Sequence, residues 1–133
     1  MKRDFDLIRQ LLFKLEKSNS EWAHIKNLSD DDKYQVRLMF EAGLIALNSY
    51  GGELRTHKTS AVNEHDFGMF SAADFTLTWE GHDYLDAIRA ESVWERTKAV
   101  VAETGGSATF EIVKTLATGL LRKQISKHTG IEL

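Results

Sequence analysis

A chain of 133 residues, 42% hydrophobic and 28% charged, is sized for one soluble domain with a modest core. It has no cysteine, which excludes a disulfide framework and thiolate chemistry, and no proline, so no helix is broken that way. No apolar run reaches the roughly 18–20 residues that span a bilayer, and no signal-like apolar core follows Lys2 and Arg3. A cytoplasmic protein that does not enter membranes is expected. The net charge of −3 argues against strong non-specific binding to nucleic acid. It is unevenly spread: residues 29–106 carry fourteen Asp/Glu against seven Lys/Arg, whereas 1–28 and 107–133 are each mildly basic. Any basic surface must come from the two ends.

The first helix is predicted over residues 3–17. Phe5, Ile8, Leu12 and Leu15 form one stripe, widened by Leu7 and Leu11. Asp4 and Asp6 suit the positive end of its dipole, and Lys14 and Lys17 the negative end. Ser18-Asn19-Ser20 ends it. Trp22, Ile25 and Leu28 then mark a short strand or an irregular crossing. Ser29 followed by Asp30, Asp31 and Asp32 is a helix start, a cap and then acids in the first turn. Val36, Met39, Phe40 and Gly43 fall near one face, and Gly43 is the expected stop, because glycine adopts the left-handed conformation at little cost. Residues 44–47 read as a strand, and Asn48 to Gly52 as a turn. Residues 53–74 are polar and read as an irregular hairpin, the wing.

In residues 75–79, Phe75, Leu77 and Trp79 alternate with Thr76 and Thr78, the period of a half-buried strand. The period then becomes helical, with Tyr84, Leu85 and Ile88. Thr78 is placed to cap this helix, and Gly81 to let another element approach closely or to relax the turn. This junction joins a module at 1–80 to a helical part at 81–133 within a single domain. A helix is predicted from Gly81 to Ala90, and another, or its continuation, from Ser92 to Glu103, with Val93, Trp94, Val100 and Val101 on its apolar side. Thr104-Gly105-Gly106-Ser107 breaks it. The last helix is expected from Ala108 to Lys127. Phe110, Val113, Ala117, Leu120 and Leu121 form its stripe, with Ile112 and Leu116 beside it. That is wider than the stripe of about 100° that a helix covering its own module needs. The surplus predicts a homodimer through Phe110, Val113, Leu116, Ala117, Leu120 and Leu121, with Gly119 permitting close approach. The same residues would serve a helix packed between the first helix and the 92–103 helix of its own chain.

Catalytic chemistry finds little footing. Gly105-Gly106 lacks the frame of a phosphate loop, and no Gly-x-Ser-x-Gly elbow occurs. His57 and His65, the latter flanked by Glu64 and Asp66, have no metal-site spacing. Three consecutive aspartates on a helix do not converge on one ion. His82 reads as a structural histidine bonding across the junction. No catalytic, cofactor-binding or metal-ligating residue is assigned, and a non-enzymatic protein without cofactors is expected.

Several segments together carry a resemblance: MKRDFDLIR at 1–9, FEAGLI at 40–45, LTWEGHDYLDAIR at 77–89, VWERTK at 93–98 and the Gly105-Gly106 to Ala117 stretch. They resemble a domain-of-unknown-function family of small bacterial and phage or prophage proteins. The resemblance implies an α+β fold, a winged-helix-like N-terminal module with C-terminal helices. FEAGLI is similar to the end of a recognition helix and the strand after it in winged-helix regulators. An ordinary helix-turn-helix has two helices between the first helix and the wing, whereas residues 28–43 scan as one. Two functions follow. One is an interaction module of phage or prophage type that binds a protein partner. The other is a transcriptional regulator that binds double-stranded DNA through the 29–43 helix and the 48–74 wing. In that case Lys33, Gln35 and Arg37 would face the major groove, and Arg55, His57 and Lys58 would contact phosphates.

Overall fold

Asp4 sets the start of α1 (Phe5–Glu16). Its carboxylate accepts from the Leu7 N–H at 3.1 Å, so the helix begins after this cap rather than at residue 3. The structure, a computed structural model, describes residues 2–25, 27–48, 54–56, 74–106 and 108–133. Ile8, Leu11, Leu12 and Leu15 are buried along α1, while Phe5 and Leu7 at the edge of the stripe are half-buried.

α2 (Asp30–Glu41) opens on a capping box. The Ser29 hydroxyl accepts from the Asp32 N–H at 3.1 Å, and the Asp32 carboxylate accepts from the Ser29 N–H at 3.2 Å. Val36, Met39 and Phe40 are buried, and α2 packs on α1. Gly43, at φ 79°, closes the helix. Its N–H donates to the Phe40 carbonyl at 3.0 Å, and the Leu44 N–H reaches back to the Met39 carbonyl at 2.9 Å. This pair of bonds satisfies carbonyls the helix would otherwise leave open.

The chain enters the sheet directly. β1 (Ile45–Asn48) is the middle strand between β2 (Leu54–Arg55) and β3 (Asp74–Leu77), all antiparallel. Leu47 stands opposite both Arg55 and Phe75. Ile45, Ala46 and Leu47 are all buried, which is why this strand is apolar without alternation. On the far edge of β3, Ala23 and Phe75 exchange N–H···O bonds of 2.8 and 2.7 Å. The 22–28 crossing is therefore held by a one-residue bridge, and Asn27 turns the chain in the left-handed region at φ 58°. The turn predicted after Asn48 lies outside the described residues except for Asn48 itself, and so does most of the predicted wing, including His57, Lys58 and His65.

The predicted strand to residue 79 is corrected. β3 ends at Leu77, and α3 (Trp79–Ile88) begins immediately after Thr78. Trp79 is thus the first residue of a helix and 80% exposed, not an inward strand residue. The Thr78 cap, the residue after Leu77, ends the alternation before it reaches the tryptophan. His82 is exposed.

The chain divides into two compact units, Met1–His82 and Asp83–Leu133, with the boundary inside α3. The first is α+β. Its order is helix, edge bridge, helix and antiparallel strands. The second is helical. α4 (Glu91–Glu103) and α5 (Phe110–Thr129) pack on each other. Thr109 caps α5 through the Ile112 N–H at 3.2 Å, and Gly130 ends it at φ 71°, its last residue, Thr129, lying two beyond the predicted stop. Among the described residues no helix is long and apolar enough to cross a membrane.

Candidate interaction surfaces

Two polar side chains fix how α2 is presented. Thr78 is the first. Its hydroxyl donates to the Gly43 carbonyl and accepts from the Gly81 N–H at 3.0 Å, and its N–H donates to the Leu44 carbonyl at 3.0 Å. The end of α2 is therefore tied to the start of α3 through one residue. A Cβ built on Gly81 would lie 2.0 Å from the Leu44 carbonyl oxygen, so glycine is required there. The predicted cap and close approach are both present.

Gln35 is the second, and it is a correction. Predicted as an outward base-reading residue, it is 2% exposed. Its carbonyl oxygen accepts from the Asp4 N–H at 2.8 Å, and its amide nitrogen donates to the Lys2 carbonyl at 2.9 Å. Buried and engaged at both ends, this side chain cannot reach a base edge.

Lys33 and Arg37 are half-buried at the surface of α2. The Arg37 Nε donates to a Glu41 carboxylate at 3.1 Å, one turn further on. Across Asp30–Glu41 there are four carboxylates against two cations. Asp30, Asp31 and Glu41 are exposed, and Tyr34 and Leu38, half-buried, share their face by i, i+4 and i+7 spacing. The sequence reading passes over these two. The signal is an aromatic and an aliphatic residue one turn apart, opposite the Val36–Met39–Phe40 stripe. Arg55 lies in β2 with its side chain outside the described residues, as are His57 and Lys58.

In the second unit, the broad apolar surface of α5 divides. Val113 and Ala117 are buried in their own chain, and the Phe110 ring stacks at a tilt on Tyr84, with centroids 4.9 Å apart. Val113 and Ala117 are withdrawn as interface residues, because a buried side chain has no area to offer a copy. Leu116, Leu120 and Leu121 are half-buried, and Ile112 is 55% exposed. Ile112 and Leu116 line an apolar groove of about 430 Å³ with Val100 and Val101 of α4. Gly119 is exposed, with nothing near a Cβ built on it. Among the described residues no three His, Asp or Glu side chains gather as metal ligands would.

The segments that carry the resemblance up to residue 98 lie in a stretch that matches a known family. Residues 2–107 match the family described as Hypothetical protein (DUF2513), and the chain belongs to it. α5 lies beyond the matched residues. A protein of Haemophilus influenzae named only as an uncharacterized protein is 28% identical over 132 residues, covering 95% of this chain and 100% of the relative. No solved structure matches the chain significantly.

Proposed function

We propose that the protein is a non-enzymatic interaction module of phage or prophage type, in which a winged-helix-like first unit binds a protein partner through the outer face of α2. The observation that carries this reading is the charge of that face. A recognition helix points its N-terminal residues into the major groove. Here those residues are Asp30, Asp31 and Asp32, which would meet phosphates with three negative charges. Arg37 is held by Glu41, and Gln35 is buried. Tyr34 and Leu38 between carboxylates instead offer a compact apolar anchor with an acidic surround, suited to a protein surface bearing Arg or Lys. The phage or prophage type rests on the resemblance of the MKRDFDLIR and LTWEGHDYLDAIR segments.

The reading of α5 as a dimer element moves to its outer side. The Ile112–Leu116 groove has one charged residue in its lining, Glu111, so two copies can meet there with little like-charge repulsion. Titration of the whole protein against pooled random duplexes at low salt tests the main reading. No saturable binding is expected. Saturable binding lost on Lys33→Ala or Arg37→Ala would favour the regulator.

A further inference from the structure

The chain ends are each net basic, and α5 gathers the cations of the C-terminal one. It carries four cations against one carboxylate. Two of these, Lys123 and Lys127, stand one turn apart beside Arg96 of α4 around a cleft of about 600 Å³. Val93, which is buried, and the half-buried Leu120 give the cleft an apolar part, and Gln124 lies between the lysines. Among the described residues no carboxylate lines it. All three cations are exposed, and none is in an ion pair among the described residues, although neighbouring Lys98 pairs with Glu95 at 3.2 Å.

We infer that this cleft docks an acidic amphipathic segment of another protein, one that sets an apolar side chain against Val93 and Leu120 with carboxylates beside it. The inference concerns a different surface from α2 and stands or falls separately. Charge complementarity selects the occupant. Three unpaired cations around an apolar patch match carboxylates flanking a Leu or Phe. A second copy is disfavoured here, because its α5 brings the same cations. A nucleic acid would also meet the cations, but a duplex backbone has no apolar group to fill the space over Val93 and Leu120. The chain's net charge of −3 also opposes a long polyanion. The volume is in the range of ligand clefts, about 300–1,000 Å³, enough for side chains rather than a duplex.

The test is fluorescence anisotropy on the full chain. The probe is a labelled helical peptide of about 14 residues, with Leu and Phe one turn apart between Asp and Glu. Its Asn/Gln counterpart and single- and double-stranded oligonucleotides serve as comparators. The acidic peptide should bind saturably and about tenfold more tightly than the neutral one, with affinity falling as salt rises. Lys123→Glu with Lys127→Glu should remove most of that binding while circular dichroism stays unchanged. Leu120→Ala should weaken it several-fold with all charges kept. Equal binding of the two peptides, or an unchanged affinity in the folded lysine variant, would overturn the proposal. So would an oligonucleotide that binds more tightly than the peptide and is lost with the same lysines.

Discussion

Gly81 faces the Leu44 carbonyl so closely that a side chain of any size would collide with it, since a Cβ there would sit 2.0 Å from the oxygen. The colliding atom is backbone, held by the Thr78 N–H at 3.0 Å, so it cannot swing aside. Gly81→Ala should destabilise the protein by about 3 kcal/mol, seen as a lower urea midpoint. Gly119 is the matched contrast, a helical glycine with nothing near its Cβ position. Gly119→Ala should stabilise by up to about 1 kcal/mol. A neutral Gly81→Ala would show that the approach of α3 to Leu44 is looser than described.

The Gln35 amide is a clamp on the chain entering α1. Gln35→Leu removes the partner of the Asp4 N–H and that of the Lys2 carbonyl. Both of these residues are exposed and can turn to water, so the loss should be about 1–2 kcal/mol rather than that of two buried orphans. Hydrogen exchange localises the effect. The Asp4 amide should lose protection while Leu11 and Leu12, deep in α1, keep theirs.

The capping box predicts a third outcome. Ser29→Ala leaves the Asp32 N–H without its side-chain acceptor. The cost should be about 1 kcal/mol in the same denaturation assay. Asp30 and Asp31, exposed and outside the box, should tolerate Asn with much smaller effects.

Light scattering tests the self-association proposed for α5. At micromolar concentration a mass near two chains is expected. Ile112→Glu with Leu116→Glu should yield a folded monomer, because Ile112 is exposed and Leu116 half-buried. A mass of one chain at all concentrations contradicts the dimer. Unfolding of the variant would place Leu116 in the core of its own chain.

Local signals were the most legible part of the sequence. The Ser29 cap, the Gly43 stop and the Thr78–Gly81 junction each depend on a few neighbouring residues, and each is in place. Most of what failed depended on distant partners. Gln35 reads as a polar surface residue because its partners lie 31 and 33 positions away. Trp79 continues a period of two that the Thr78 cap cuts short. The width of the α5 stripe showed that apolar surface was in surplus. It could not show that Val113 and Ala117 face the chain's own interior while Ile112 stays outside. The Tyr34–Leu38 pair was hidden for a related reason, since periodicity finds the buried face of α2 and leaves the other as undifferentiated surface.

A protein-binding role for the outer face of α2 is tested by affinity capture from host lysate on the full chain, with and without nuclease, comparing wild type with Tyr34→Ala plus Leu38→Ala. A discrete protein partner that survives nuclease and is lost from the double variant is expected, while the variant's circular dichroism is unchanged. Capture that disappears with nuclease, or a partner that the variant retains in full, would contradict a protein-binding role for the outer face of α2.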